Sequence, residues 1–358
     1  MSKAADLAAL IGSQTALSHR NMVINGAMNV AQRSTSETGL GATAGYHTID
    51  RFRTHFVDTA GRVTMAQVAD VHDGFANALK FTCTTADTSI AATEQFKLEY
   101  RIEGQDLQQL KKGASDAEKV TVSFYVKGDA NATYVCELLD VDNSRSNTQA
   151  FNVTSSWNRI SLTFAGDTTG SLDDDNARSL DLIIWLHAGS NFTSGTFASN
   201  TWGSTTNANR YAGSRTSFFD STDRTFFITG VQMELGEQAT PFEHRSFADD
   251  LVRCQRYHQR HTSGVTNARV GFGAKTSATN ARCILPFNTP MRSTPSHSIT
   301  GTPRFETGAA AQNVSSINTS GANNQCGSFD ATTASGGAQN DPGVLDCGDG
   351  GYIFDSEL

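Results

Sequence analysis

Between residues 57 and 235 the chain repeats one pattern, in which apolar and polar residues alternate along short segments. The clearest examples are residues 96–102, 120–127, 160–164, 180–187 and 231–235. Alternation with a period of two directs one set of side chains into a core and the other set outward, as in β-strands. Loops rich in Gly, Asn, Asp and Ser separate the segments. The pattern predicts a mainly β chain built on a β-sandwich, with jelly-roll topology as the best interpretation.

Composition agrees with this class and excludes others. At 358 residues the chain has room for two or three domains, and only 18% of its residues are charged. The formal net charge of -8 disfavours a nucleic-acid partner, because phosphate neutralisation needs a basic face. Residues 4–11 form an apolar run that Asp6 interrupts. This run is far shorter than the roughly 20 residues of a membrane span, so no membrane insertion is expected.

The pattern divides the chain into four parts. Residues 1–20 read as a short helix and linker, which we expect to dock on a partner or a sister subunit. Residues 21–245 form the predicted jelly-roll sandwich, 246–260 a connecting helix and 261–358 a C-terminal β domain. The docking or oligomer contacts would come from apolar residues at helical spacing. These are Leu7, Leu10 and Ile11 in the first helix and Leu251, Cys254 and Tyr257 in the second.

Residues 307–343 are almost wholly small and polar, and their interpretation stays open between two alternatives. One is a mobile loop, since low-complexity polar stretches bury little apolar surface. The other is a set of flat strands that become ordered only when three chains share a core.

Several motifs resemble one protein family. They include residues 226–236, which lead into Ala-Thr-Pro-Phe-Glu-His-Arg at 239–245, and Tyr-His-Thr-Ile-Asp-Arg-Phe at 46–52. Residues 155–160, 188–196 and 202–210 add to the match. Together they resemble marine bacteriophage tail-fibre or virion structural proteins with a carbohydrate-binding-like jelly-roll module. The resemblance implies a homotrimer located in the virion and assembled in the host bacterial cytoplasm. It also implies attachment to other phage virion proteins, of the tail or the capsid, through the N-terminus.

Two groups of residues are candidate binding sites. Aromatic rings stack on sugars and amides bind their hydroxyls, which favours a glycan site at Trp185, Trp202, Asn207, Asn209, Arg210 and Tyr211. The alternative is that these rings are buried or lie at a subunit contact. Asp173, Asp174 and Asp175 would suit structural calcium, which prefers several oxygen ligands. The alternative is a solvated acidic loop, and no other cofactor is expected.

No GxSxG, HExxH or P-loop motif occurs, so the sequence predicts a protein that is not an enzyme. The leading hypothesis is a trimeric tail fibre that attaches the particle to host surface glycans, where several linked weak sites would raise avidity. A capsid-decorating, head-vertex or tail-adaptor protein shares the same features and remains an alternative. A polysaccharide depolymerase is the third, and it would require two carboxylates at a set separation.

Overall fold

The computed structural model describes residues 19–262, 268–308 and 310–358. The chain divides into two compact units, the first ending at Phe247 and the second beginning at Ala248. The predicted N-terminal docking helix, with Leu7, Leu10 and Ile11, lies outside the described residues. In the described part of the chain, no helix has the length and apolar character needed to cross a membrane.

The first unit is a sandwich of two antiparallel sheets. Strands are numbered in chain order. The first sheet contains β1 (Ser36–Leu40), β4 (Arg62–Val68), β5 (Ala78–Thr85), β7 (Val120–Gly128), β10 (Asn158–Phe164) and β13 (Thr225–Leu235), in the order β1-β4-β5-β13-β7-β10. The second contains β2 (Gly45–Tyr46), β3 (Phe52–Val57), β6 (Gln95–Glu103), β8 (Ala132–Asp140), β9 (Arg145–Val153), β11 (Arg178–Ala188) and β12 (Gly203–Ser204), in the order β12-β9-β8-β11-β6-β3-β2.

The two sheets pack face to face through the apolar residues that the alternation predicted. Aromatic rings meet across the interface: Phe81 of β5 lies 5.0 Å from Phe96 of β6, and Tyr134 of β8 lies 5.7 Å from Phe226 of β13, both measured between ring centroids. Burying rings of this size supplies much of the stability of a sandwich core. Because the chain passes repeatedly from one sheet to the other, the predicted jelly-roll sandwich is confirmed.

Short helical segments decorate the sandwich. They are α1 (Ser190–Thr193) and three single 3-10 turns at Gly104–Asp106, Gln108–Leu110 and Asn207–Asn209. The segment from residue 189 to residue 217, which follows β11, contains α1, β12 and the turn at Asn207–Asn209. It is called the covering segment below, because it lies over part of the second sheet.

One of the motifs behind the family resemblance, residues 239–245, contacts the first described residues of this unit. Glu243 accepts hydrogen bonds from the backbone amides of His19, at 2.9 Å, and Asn21, at 2.7 Å. Arg245 donates to the carbonyl oxygens of Asn21, at 2.5 Å, and Val23, at 3.2 Å. The 239–245 motif therefore fixes the start of the sandwich, which is a structural role.

The turn at Asn25-Gly26 is also structural. Asn25 has a φ of 61°, and its side chain bonds both the amide and the carbonyl of Val30, at 2.9 and 2.8 Å. A Cβ on Gly26 would lie 2.1 Å from the carbonyl oxygen of Val231. Only glycine permits this approach of the turn to β13.

The second unit is a β domain entered through helix α2 (Phe247–Gln255). Six strands close a barrel in the order β15-β16-β20-β19-β18-β21, and three more form a sheet in the order β14-β22-β17. The barrel strands are β15 (Arg269–Ser277), β16 (Asn280–Pro286), β18 (Arg304–Thr307), β19 (Ala311–Thr319), β20 (Cys326–Thr333) and β21 (Pro342–Asp346). The sheet strands are β14 (His258–Thr262), β17 (Ser296–Thr300) and β22 (Gly351–Asp355).

The polar stretch 307–343 is therefore neither a mobile loop nor a set of strands that needs three chains. It supplies β19, β20 and part of β21 to a barrel closed within one chain. Few inward residues are needed to fill so small a barrel, and they include Phe305, Val314, Ile317, Phe329 and Leu345. The remaining positions are free to be small and polar.

Helix α2 corrects part of the predicted oligomer contact. Cys254 and Tyr257 are both buried in the single chain, so their side chains present no surface to a partner. Leu251 is half-buried. The helix is also shorter than the predicted 246–260, because it ends at Gln255 and Tyr257 lies in the turn before β14.

Candidate functional site

The outer face of the second sheet, the one turned away from the sandwich core, carries an unusual set of side chains. Along β6 the outward residues are Lys97, Glu99 and Arg101, and along β11 they are Asp181, Ile183 and Trp185. Charged residues at such positions normally extend into solvent. Here Lys97, Glu99 and Asp181 are buried. Other parts of the chain therefore cover this face, and buried charged groups of this kind need polar partners.

The covering segment closes the middle of this face over Trp185. The indole Nε1 donates to Glu137 Oε2 at 2.6 Å, and Arg210 donates to both oxygens of Glu137 at 2.8 and 2.9 Å. The guanidinium of Arg210 lies 4.9 Å from the centre of the Trp185 ring, a cation–π distance. Phe192 and Tyr211 complete the cover, with ring centroids 5.4 and 6.0 Å from that of Trp185.

The predicted glycan site needs correction at three residues. Trp185 does face away from the core, as the alternation indicated, but its ring is fully covered. Tyr211 is buried as well, and its hydroxyl donates to the Thr216 carbonyl at 2.8 Å. Arg210 is committed to Glu137. These side chains fasten the covering segment to the sheet. In this structure Trp185 and Tyr211 are not open to a sugar, whereas Arg210, whose side chain is 10% exposed, also lines a pocket at the β12 edge.

The other three predicted residues lie at the β12 edge of the same face. Trp202 is half-buried and donates to the Ala165 carbonyl at 2.7 Å. Asn207 is exposed, and Asn209 accepts the Thr196 amide at 2.9 Å. A polar pocket of about 120 Å³ lies beside them, lined by Ser146, Thr148, Thr201, Ser204, Thr206, Asn209 and Arg210. Hydroxyl groups of this kind can hydrogen-bond a small polar ligand.

Toward the opposite edge, strands β3, β6 and β11 and the loop before β1 bring four arginines together with one tyrosine of β2. We call this group the arginine face; it consists of Arg33, Tyr46, Arg53, Arg101 and Arg178. Tyr46 is the direct cross-strand neighbour of Arg53, and the guanidinium of Arg33 lies 5.2 Å from the Tyr46 ring centre. The sequence prediction missed this cluster, because its members are spread over 146 positions, from Arg33 through Arg178.

Buried carboxylates anchor the arginine face from below. Glu99 Oε2 lies 2.7 Å from Arg53 and 3.2 Å from Arg101, while its Oε1 lies 3.2 Å from Lys97 and 3.1 Å from His55. Burial by itself would raise the pKa of Glu99, but the His55 hydrogen bond and the charges of Lys97 and Arg101 lower it well below its usual value. Glu99 is therefore an anion at any physiological pH.

The second anchor is Asp181. Its two oxygens are bridged by the Nε and Nη2 atoms of Arg178, the Nε contact measuring 2.7 Å. Burial raises the pKa of Asp181, and the charge of Arg178 only partly offsets this effect. Glu99 on β6 and Asp181 on β11 are diagonal neighbours. The pKa of Glu99 is lowered and the pKa of Asp181 is raised, although the two carboxyl groups lie on the same face. The arrangement resembles an ion-pair network that holds arginines in place.

The predicted calcium site at Asp173, Asp174 and Asp175 is not assembled. All three side chains are exposed. Asp175 Oδ1 accepts the Ala177 amide at 2.8 Å, which stabilises the local turn. Across the described residues, no three or more His, Cys, Asp or Glu side chains are grouped to hold a metal ion.

Comparison with known proteins gives the following. No protein-family model matches the chain, and no curated protein matches it. The similar solved structures include carbohydrate-binding modules and a phage tailspike domain. A family 11 carbohydrate-binding module from Clostridium thermocellum, in complex with a β-1,3-1,4-mixed-linked tetrasaccharide, is 12% identical with a TM-score of 0.29, covering 57% of this chain and 100% of its own.

Two further structures show the same level of similarity. The enzymatically active domain of a tailspike protein from bacteriophage CBA120 is 12% identical with a TM-score of 0.30, and the match covers 60% of this chain and 21% of that one. A tandem CBM22 domain from Paenibacillus barcinonensis is 12% identical with a TM-score of 0.27, covering 92% of this chain and 100% of its own. With scores this low, the description of the fold rests on the strand topology given above.

Proposed function

We propose that this chain is a phage virion protein of the tail-fibre class, which attaches the particle to host surface glycans by binding alone, without catalysis. The observation that carries the proposal is the outer face of the second sheet. It presents a hydroxyl-lined pocket at one edge, formed by β9 and the covering segment, and the arginine face toward the other, formed mainly by β3, β6 and β11. Polar groups fixed in advance on a scaffold lose little freedom on binding, which favours recognition of a polar ligand.

The motifs at 46–52 and 239–245 support the virion assignment through their resemblance to marine phage structural proteins. The proposed location is the virion, with the N-terminal residues docked on other tail or capsid proteins. Multivalent display would compensate for the weakness of individual sugar contacts. The proposal therefore includes a homotrimer.

An apolar row on the barrel supports self-association. Phe272 of β15 lies directly opposite Ile284 of β16 and Val344 of β21, so three apolar side chains cross neighbouring strands. Phe272 is 56% exposed and Ile284 40% exposed. Exposed apolar residues that are contiguous mark interaction surfaces more often than isolated ones do.

Replacing Phe272 with Ser is expected to convert the trimer into monomer, because it removes the largest apolar group of the row. Light scattering coupled to size exclusion, at micromolar concentration, measures the mass directly. Thr276→Ser, a change at another exposed position of the same strand, is the control and should leave the trimer intact. A wild-type protein of 38.3 kDa mass in solution would contradict the trimer.

Gold-labelled antibody against this protein, applied to intact virions and viewed by electron microscopy, tests the location. Label on the tail is expected. Label spread over the head would favour the capsid-decorating alternative, and its absence from the particle would contradict the virion assignment. A reducing-sugar assay on host polysaccharide accompanies this experiment, because release of sugar would contradict binding without catalysis.

A further inference from the structure

The charges of the arginine face are arranged in two layers. The carboxylates lie underneath: the side chains of Asp50, Glu99 and Asp181 are 1%, 2% and 0% exposed. The guanidinium side chains lie above them and reach solvent, with exposed fractions from 12% for Arg33 to 30% for Arg178. An approaching ligand therefore meets cations first, although the whole chain carries a net charge of -8.

The buried layer also fixes the direction of the exposed one. Arg53 and Arg101 share Glu99 Oε2, and Arg178 is bidentate on Asp181. Arg53 is held through Nη1 and Arg178 through Nε and Nη2, and each guanidinium has further N–H donors in the same plane. Such a planar fork matches the two oxygens of a carboxylate or sulfate. Because the side chains are already ordered, less conformational entropy is lost when an anion binds.

Tyr46 gives the cluster a feature that a simple anion site does not need. Its ring is half-buried, is flanked by Arg53 on the next strand and has Arg33 over it at 5.2 Å. An aromatic ring among cations offers an apolar plane for the C–H face of a sugar beside donors for its charged group. Glu37, whose side chain is 45% exposed, lies 3.3 Å from Nδ1 of His47, the residue that follows Tyr46.

We propose that the arginine face binds the oxyanion group, carboxylate or sulfate, of an acidic polysaccharide, with the sugar ring against Tyr46. This inference deepens the proposed glycan-binding function and rests on it. A nucleic acid fits less well, because its phosphates extend in a regular array and binding them requires a basic surface wider than this one cluster.

The test measures binding of the full-length chain to three soluble polysaccharides by calorimetry: alginate for carboxylates, dextran sulfate for sulfates and unmodified dextran as the neutral probe. Single-stranded DNA serves as the phosphate probe. We expect one of the two acidic polysaccharides to bind and dextran not to bind. The affinity should fall as salt is raised, because charge–charge attraction is screened.

Arg53→Gln is the main variant, since Glu99 keeps Lys97, His55 and Arg101 as partners after the change. Its affinity for the acidic polysaccharide should drop by about tenfold, the loss expected for one charged hydrogen-bonding group. Tyr46→Leu should weaken binding while leaving the salt dependence unchanged. Arg282→Gln removes an arginine that is also ion-paired, with Asp330, but lies on the barrel, and should leave the affinity unchanged.

The outcomes separate the two proposals. Binding of neutral dextran alone, or equal binding by wild type and Arg53→Gln, would overturn the acidic-ligand inference and leave a glycan-binding function standing. Tighter binding of DNA than of either acidic polysaccharide would overturn it in favour of phosphate. If no polysaccharide binds, the proposed function falls as well. If Arg53→Gln does not fold, the acidic-ligand inference is tested with Arg53→Lys and Tyr46→Leu instead. Arg53→Lys keeps the positive charge but lacks the planar guanidinium.

Discussion

Replacing Glu137 with Gln is expected to destabilise the sandwich by about 3–5 kcal/mol, because it leaves the buried guanidinium of Arg210 without its counter-charge. Glu137 is fully buried and accepts three hydrogen bonds, one from Trp185 and two from Arg210. The glutamine side chain has the same shape but presents only one acceptor and carries no charge. The loss corresponds to a fall in melting temperature on the order of 10 °C for a unit of this size.

Tryptophan fluorescence isolates this effect from the rest of the chain, because all three tryptophans, Trp157, Trp185 and Trp202, belong to the first unit. Thermal unfolding followed at the tryptophan emission should therefore report the sandwich alone. Glu237→Gln is the matched control, since Glu237 is bonded to Lys119 on an exposed surface and should have no measurable effect. Replacing both partners, as in Glu137→Leu with Arg210→Met, should recover much of the lost stability.

A Glu137→Gln protein with unchanged melting temperature would show that the covering segment is not fastened through this ion pair. If the pair does fasten it, backbone amides of residues 189–217 should also exchange hydrogen faster in the variant than in the wild type. Faster exchange confined to that segment would mean local release, whereas faster exchange throughout residues 19–247 would mean loss of the whole fold.

The same segment explains why the sequence predicted the fold better than the site. Period-two alternation depends only on neighbours along a strand, so it placed Leu182 inside and Trp185 outside correctly. Whether an outward residue meets solvent depends on what a distant loop does. Residues 189–224, between β11 and β13, carry too little periodicity to reveal that Arg210 and Tyr211 return to cover Trp185.

The arginine face was missed for a related reason. Its strands pair in the order β11-β6-β3-β2, which brings Arg178 near Arg101 and then near Arg53 and Tyr46. Strand order follows from the global topology, and the sequence alone did not supply it. One local signal was present: a strand in which Lys97, Glu99 and Arg101 all occupy the outward face suggests a charged surface that neighbouring strands would complete.

Acidification is expected to destabilise the second unit through His261, most of the loss occurring between about pH 6.5 and pH 4. Burial lowers the pKa of His261 to about 4, and among the described residues its Nε2 has no hydrogen-bond partner. In the unfolded chain the same imidazole has a pKa of about 6.5. As the pH falls below 6.5, His261 becomes protonated in the unfolded chain but stays neutral in the folded unit. The free energy of unfolding therefore decreases.

The difference between these two pKa values corresponds to about 3 kcal/mol as an upper limit, reached once the pH is below 4. Hydrogen exchange of residues 269–308 and 310–358, measured at pH 7 and pH 5, follows the unit directly after correction for the intrinsic rate. His261→Phe keeps a ring beside Phe354, 5.8 Å away between centroids, but cannot be protonated. The variant should lose less stability than the wild type over this interval, and an identical loss in both proteins would assign the acid sensitivity to other groups.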